Sequence, residues 1–431
     1  MPPSANGGTL GRLGAALTKT MHADTGADAA LVIDLDADLL QGNLAGEVFW
    51  ARMRHDWRRA LTGHGAAAGT DLLDIAQLPY DARVLARCRA ARMTGTRTVL
   101  VSAAPPAFVE AIASELGCFD AAEGGLAQAH SHRGGSARWT MADLFRAMRP
   151  HQWVKNLLVF LPLLAAQRFE LATLGWSVLA FLSFGLIASA VYLVNDLIDL
   201  PADRRHPAKR HRPFASGRLP LRIGTRAAPA LLGAGLLLGA LAGVELLVVM
   251  LCYAVVTTAY SIRLKGSLAA DIVVLAVLYT LRIIAGGAAT GIDLSMWLLG
   301  FSIFLFLSLG AVKRLAELVD MEQAGGRQQA AGRAYETEDR PVVAMIATAS
   351  GFVAVLVFAL HISSPEVSAM FGAPQLLWGI CLVLLFWISR TVLLAHRGLV
   401  DQDPIVFALT DRASLVSGLA TAALFVAAIL G

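Results

Sequence analysis

Residues 189–213 read Ser189-Ala190-Val191-Tyr192-Leu193-Val194-Asn195-Asp196-Leu197-Ile198-Asp199-Leu200-Pro201-Ala202-Asp203-Arg204-Arg205-His206-Pro207-Ala208-Lys209-Arg210-His211-Arg212-Pro213, and their reading decides the fold. The stretch 172–194 just before and into this segment carries no charge, so Asn195-Asp196 closes a long apolar run. Acids beside a bilayer are expensive unless something binds them. Asp196, Asp199 and Asp203 lie three and four residues apart, so a helix would project them from one face. A basic cluster follows at once: Arg204, Arg205, Lys209, Arg210 and Arg212. Carboxylates followed by cations suit a divalent ion and the phosphates bound to it. A plain polar cap would carry one or two charges, and Lys or Arg favours this side. Pro201 disfavours helix at Leu200 and predicts a kink between Asp199 and Asp203. Asp196 and Asp199 are then the primary ligand pair, with Asp203 behind them.

Outward from this segment the chain divides. Of its 431 residues 56% are hydrophobic and only 16% charged, too few charges for a soluble protein of this length. The stretch before Arg149 alternates polar and apolar runs like a soluble domain, and long apolar runs follow Trp153. About nine spans are expected from the rule that roughly 20 residues cross the hydrocarbon. They fall at 153–167, 171–194, 227–242, 245–262, 270–291, 294–312, 342–361, 375–394 and 413–430. Loops on one side hold nearly all the basic residues, while the other side holds Arg168 with Glu170, Glu245, Asp293 and Glu366. The positive-inside rule places the basic side, the N-terminal domain and the acidic segment in the cytoplasm, and an odd span count puts the C-terminus outside. The net charge of +4 reflects this asymmetry and points to no nucleic-acid partner. The four cysteines are scattered and suggest neither a metal site nor disulfides, and the first 30 residues contain no cleavable signal.

With these residues in view, the chain resembles the UbiA superfamily of intramembrane prenyltransferases, whose first aspartate-rich motif is N-D-x-x-D-x-x-x-D. The resemblance covers roughly 146–431 and is nearest the polyprenyl-phosphate (decaprenyl-phosphate) phosphoribosyltransferase branch. Arg149-Pro150-His151-Gln152-Trp153-Val154-Lys155-Asn156, Lys209-Arg210-His211-Arg212-Pro213 and Tyr260-Ser261 with Lys265 carry it. So do Asp271 with Arg282, Lys313-Arg314 with Glu317, and Asp403-Pro404 with Asp411-Arg412. The resemblance implies a multi-pass helical enzyme of the bacterial inner membrane that uses Mg2+. Its substrates would be phosphoribosyl diphosphate and a polyprenyl phosphate, and homo-oligomerisation is compatible with the sequence. Asp196, Asp199 and Asp203 would hold the metal, and Asp196, Asp199 and Lys155 would be catalytic. Substrate and phosphate would meet Asn156, Asn195, Lys209, Arg212, Tyr260, Lys265, Asp271, Lys313, Arg314, Arg333 and Tyr335.

The end of the sixth span argues for this branch. Prenyltransferases of the superfamily carry a second aspartate-rich motif there, so that two metals flank a prenyl diphosphate. Here the stretch reads Lys313-Arg314-Leu315-Ala316-Glu317-Leu318-Val319-Asp320, cations first. One metal site with many basic residues suits two phosphate-bearing substrates better. The alternative is prenyl transfer from a prenyl diphosphate to an aromatic or quinone-precursor acceptor. A transporter is the third reading, but no half-repeat with broken helices supports it. Arg282 lies eleven residues beyond Asp271, so the two share a helix face and either pair or line a pocket. Gly286-Gly287 and Gly291 are expected to permit close helix packing.

The expected domains are a flexible N-terminus at 1–28, a degenerate α/β domain at 29–125, a linker at 126–145 and the transmembrane domain at 146–431. Leu31-Val32-Ile33-Asp34-Leu35-Asp36 reads as a strand ending in two acids, and Thr98-Val99-Leu100-Val101-Ser102 as one ending in a hydroxyl. This resembles a haloacid dehalogenase-like phosphatase domain, in which Asp34, Asp36 and Ser102 would form the site. Ala37-Asp38 replaces the usual Gly-Thr, no late acidic pair follows Gly125, and no Lys lies between Lys19 and Lys155. The site is therefore read as degenerate, with a scaffolding or regulatory use.

Overall fold

The computed structural model describes residues 30–56, 58, 60, 70–126, 139–323, 334–400 and 403–431. The chain forms two compact units, Met1–Leu144 with Asp196–Gly224, and Phe145–Asn195 with Thr225–Gly431.

The first unit is built on a three-stranded parallel sheet in the order β1-β2-β3: β1 (Leu31–Asp34), β2 (Thr98–Val101) and β3 (Ala121–Glu123). Leu31 pairs with Thr98, and Val99 with Ala121. Parallel neighbours need crossovers, and helices supply them: α1 (Leu44–His55) and α2 (Ala82–Met93) before β2, and α3 (Pro106–Leu116) before β3. Asn43 caps α1 by accepting the Gly46 N–H, and Asp81 caps α2 by accepting that of Arg83. The α3 helix starts on Pro106 and stops at Gly117, whose φ of 62° suits glycine. Ile33, Leu35, Leu100, Phe108, Val109 and Ile112 form the core between sheet and helices.

After α4 (Met141–Met148) the chain enters the helical part through an 11-residue 3-10 helix, Pro150–Phe160, followed by α5 (Leu161–Ala165). Eight long apolar helices follow. They are α6 (Leu171–Ile198), α8 (Leu221–Ala242), α9 (Val244–Ile262), α10 (Ala270–Thr290), α11 (Met296–Gln323), α12 (Arg340–Ile362), α14 (Leu377–His396) and α16 (Arg412–Leu430). Short helices intervene: α7 (Leu200–Arg205), α13 (Pro365–Met370) and α15 (Pro404–Thr410). Outward side chains such as Leu237, Val255, Leu382 and Leu419 are 63–71% exposed, an apolar girdle that only lipid covers without penalty.

Where nine spans were expected, eight helices among the described residues are long and apolar enough to cross a membrane. The first expected span is instead the 3-10 segment. At about 2.0 Å per residue there and about 1.5 Å in α5, this short stretch still has a rise of about 30 Å. Three residues per turn place Trp153, Asn156 and Val159 in one column. Gly286 on α10 receives Val159, because a Cβ there would lie 2.1 Å from the Val159 carbonyl oxygen. That is the close packing expected of the Gly286-Gly287 pair. Two further elements outrun their predicted ends. The α8 helix starts at Leu221 and carries Pro229 inside it, and α11 continues to Gln323. Ala311, Leu315, Ala316 and Glu317 are good helix formers, so Lys313 and Arg314 sit on a helix and not in a loop.

Candidate active site

The expected kink falls at Asp199, whose ψ of 7° ends α6 before α7 begins with Pro201 in its first turn. The break redirects the acids. Asp196 and Asp203 are both 3% exposed, and both reach the same nitrogen of Arg212. Arg212 Nη1 lies 3.3 Å from Asp196 Oδ1 and 2.7 Å from Asp203 Oδ2. The kink argument ranked Asp203 behind Asp199, yet Asp203 is the acid that shares a guanidinium with Asp196. Asp199, half-buried, acts electrostatically on Arg54 of α1.

The basic loop after α7 is held by its own backbone and by one arginine. Ser216 Oγ donates to the Arg212 carbonyl at 2.8 Å, and Arg218 Nη2 to that of His211 at 2.7 Å. Arg204 donates through Nε to the Ala215 carbonyl at 3.2 Å. Its other two nitrogens fork onto Glu47 of α1, at 3.1 and 2.6 Å. Lys209 is half-buried on a single 3-10 turn, and Asn195 half-buried at the end of α6.

Magnesium fits the Asp196–Asp203 pair by donor chemistry. Both ligands are hard carboxylate oxygens, they already converge on one cationic nitrogen, and Mg2+ completes its shell with water and phosphate. Among the described residues no three His, Cys, Asp or Glu side chains gather around one ion position, so the expected three-acid set is not assembled.

In the second unit the predicted residues fall into three polar clusters. Lys155, 8% exposed, forms an ion pair with Asp403, which caps α15 through the Ile405 N–H at 3.2 Å. Burial opposes ionisation of Asp403, but the Lys155 ammonium and the charge of Lys313 hold its carboxyl below the usual range. Arg282 forms the second cluster. Its Nε donates to Asn156 Oδ1 at 3.1 Å and its Nη2 to the Tyr253 hydroxyl at 3.2 Å. The Phe184, Tyr253 and Tyr279 rings surround the guanidinium at 5.1 to 5.4 Å. Asn156 is 1% exposed, and its Nδ2 is a buried donor with no protein acceptor.

Arg314, 1% exposed, centres the third cluster. It pairs with Asp271 Oδ2 at 2.7 Å and with Glu317, and stacks 5.7 Å from the Tyr335 ring. The Tyr260 hydroxyl donates to Asp271 Oδ1 at 2.9 Å, and the Tyr335 hydroxyl accepts the Ala269 N–H at 2.9 Å. Asp271 thus pairs with Arg314, while Arg282 turns to Asn156. Eleven helical residues separate Asp271 from Arg282 by about 16 Å along the axis, beyond a guanidinium's reach. Lys265 and Lys313 are half-buried. Arg333 and the glycine loop Gly325-Gly326-Arg327 lie outside the described residues.

In the small domain Asp34, Asp36 and Ser102 do come together. Asp34 Oδ1 accepts the Asp36 and Ala37 N–H groups, both at 2.9 Å. Asp36 Oδ1 accepts the Leu44 N–H at 2.7 Å, and its Oδ2 the Ser102 hydroxyl at 3.3 Å. Burial raises the Asp34 carboxyl above its usual range against those two hydrogen bonds. Sequence reasoning missed Glu47 and counted Arg204 only as one of the phosphate-suiting cations; the two are 157 residues apart and no local pattern links them.

Among the described residues, eight long apolar helices and an acidic, kinked helix end mark a multi-pass membrane protein. The chain belongs to the UbiA prenyltransferase family, which it matches over residues 157–410. It is 38% identical over 271 residues to nodulation protein NoeC of Azorhizobium caulinodans, covering 63% of this chain and 88% of that one. It is 42% identical over 191 residues to the decaprenyl-phosphate phosphoribosyltransferase of Mycobacterium tuberculosis, covering 43% of this chain and 63% of that enzyme's length. Its fold resembles a UbiA homolog from Archaeoglobus fulgidus bound to GPP and Mg2+, with a TM-score of 0.50, 19% identity, and coverage of 66% of this chain and 99% of the other.

Proposed function

We propose that the protein transfers a 5-phosphoribosyl group from phosphoribosyl diphosphate to a polyprenyl phosphate, at the cytoplasmic face of a bacterial inner membrane. One observation carries this reading. Glu317 on α11 and Asp271 on α10 both pair with Arg314. A prenyl diphosphate held between two metal-binding acid clusters would need those carboxylates elsewhere. The Asp196–Asp203 pair is the metal candidate in this reading, and the basic loop that follows it suits anionic substrates. The likeness to the mycobacterial phosphoribosyltransferase supports the same branch.

In this mechanism Asp196 and Asp203 would hold Mg2+, with Asp199 beside them at the kink. The cation supplies charge neutralisation for the departing pyrophosphate. Arg212 and Lys209 are assigned to phosphate oxygens, where they would stabilise negative charge as the anomeric bond breaks, and Lys265 and Lys313 of the second unit are assigned as phosphate ligands. Lys155, with its charge balanced by Asp403, and the Asn156 Nδ2 donor are assigned to orient the sugar or its phosphate. Asn195 supports the helix end, and Asp271, Tyr260, Arg314 and Tyr335 act as a fixed polar cluster. The lipid phosphate is already an anion at neutral pH, so no strong general base is needed. The α/β domain is assigned no hydrolysis, because Asp36 is committed to the Leu44 amide and Ser102.

Membranes containing the protein, supplied with labelled phosphoribosyl diphosphate and polyprenyl phosphate, are expected to yield labelled lipid that requires Mg2+ and is lost in Asp196→Ala. Absence of labelled lipid, with turnover of a prenyl diphosphate onto an aromatic acceptor, would replace this reading with prenyl transfer.

A further inference from the structure

Glu47 and Arg204 form a buried, two-pronged ion pair inside the first unit, with side chains 4% and 8% exposed. The contact joins α1 of the small α/β domain to the last turn of α7, one residue after Asp203. Arg204 also donates to the Ala215 carbonyl, so one guanidinium ties three segments: α1, the end of α7 and the loop that follows Arg212. Both carboxylate oxygens of Glu47 are used, and the fork fixes orientation as well as distance.

Other contacts repeat the arrangement. Arg205 pairs with Asp74, the next residue along reaching a second point of the same domain. Gly217 abuts Gln41 and Pro79 so closely that a Cβ there would lie 2.5 Å from the Gln41 carbonyl oxygen. A small groove lined by Glu47, Trp50, Arg54, Leu73, Leu200 and Arg204 marks the seam. Both ends of the 203–217 segment are therefore fastened to the α/β domain, and Arg212, which bridges Asp196 and Asp203, lies between them.

We propose that the α/β domain is an in-cis positioning element, and that Glu47, acting through Arg204, is a positioning residue that sets the geometry of the Asp203–Arg212 loop for an anionic, metal-bound substrate. Only the identity of that substrate rests on the reading above; the brace itself does not. It explains why a domain whose acids are turned inward on their own backbone remains attached to the enzyme. Glu47 touches no reacting atom in this scheme, and it controls where Arg212 and Asp203 stand.

The test uses the full chain in membranes or detergent, with Glu47→Gln, which keeps shape and removes charge, and Arg204→Lys, which keeps charge and removes the fork. Two readouts are taken. Amide hydrogen exchange is compared between 202–217 and the β1–β2 core, without substrate. KM and kcat are measured with phosphoribosyl diphosphate as the varied donor. In both variants exchange in 202–217 is expected to accelerate at least tenfold while β1 and β2 stay protected. KM should rise about tenfold, with kcat within a factor of about three. Unchanged exchange in 202–217 in both variants would overturn the brace. A fall in kcat alone, with KM constant, would also overturn it, because that is the mark of a smaller folded fraction. Accelerated exchange in both variants of a protein whose wild type makes no phosphoribosyl lipid would support the brace and remove the proposed function.

Discussion

Arg212 and Arg314 each hold two carboxylates, and the difference between their surroundings separates a pair of acids that can be released from a pair that is locked. Arg314 is 1% exposed, its partner Asp271 is fully buried, and Tyr260 occupies the other Asp271 oxygen. Arg212 is 29% exposed and lies on a loop between two fastened ends, with Asp196 and Asp203 beneath it. A guanidinium that can swing into water can yield its carboxylates to another cation. A sealed one cannot, because leaving would strand charges in a low-dielectric interior. Exposure of the cation, more than the count of acids, tells the two apart.

The sharpest way to break this contrast is Asp271→Asn. It leaves the Arg314 charge short of its buried partner and should cost about 3–5 kcal/mol, read as a steep drop in unfolding temperature in detergent. A variant that unfolds like the wild type but loses turnover would make the Arg314 cluster catalytic. Asp196→Asn should do the opposite. Transfer activity is expected to fall on the order of 100-fold while the unfolding temperature barely moves. Arg212→Ala should raise the donor KM about tenfold. The Mg2+ concentration needed for half-maximal rate should fall in the same variant, because the competing cation is gone. A higher Mg2+ requirement would mean that Arg212 organises the acids and does not yield them.

The smallest effect concerns Asp411. Hydrogen bonding from Arg390 and from the Ser414 amide and hydroxyl lowers its carboxyl to about 2. A group with a depressed folded pKa contributes stability above its unfolded value and loses it as pH falls through the folded one. Wild type should therefore exceed Asp411→Asn by about 1 kcal/mol near neutral pH. The gap should close between about pH 4 and pH 2 as thermal unfolding is followed downward.

Much of the acidic segment was legible because charge stands out against an apolar background. Pro201 announced the break at Asp199. What one chain position cannot announce is a partner far away. Glu47 looks like an ordinary surface charge, and Arg204 like one more cation of the basic cluster, until α1 and α7 meet, and Asn156 reveals nothing of Arg282, 126 residues on. Asp271 and Arg282 show the converse. Helical phase put them on one face, but axial distance kept them apart, and phase alone could not report the rival partner on α11. The 153–167 stretch shows a related limit: hydropathy windows assume one rise per residue, and this segment winds largely as a 3-10 helix.

The 3-10 entry segment carries a consequence for anyone redesigning this enzyme. Substituting strong α-formers along Gln152–Leu157 looks like routine stabilisation. Rewinding eleven residues from about 2.0 to about 1.5 Å each would shorten the segment by about 5 Å. It would also turn the Asn156 amide out of register with Trp153 and Val159. The stretched winding is a length gauge, and tightening it would shorten the measure.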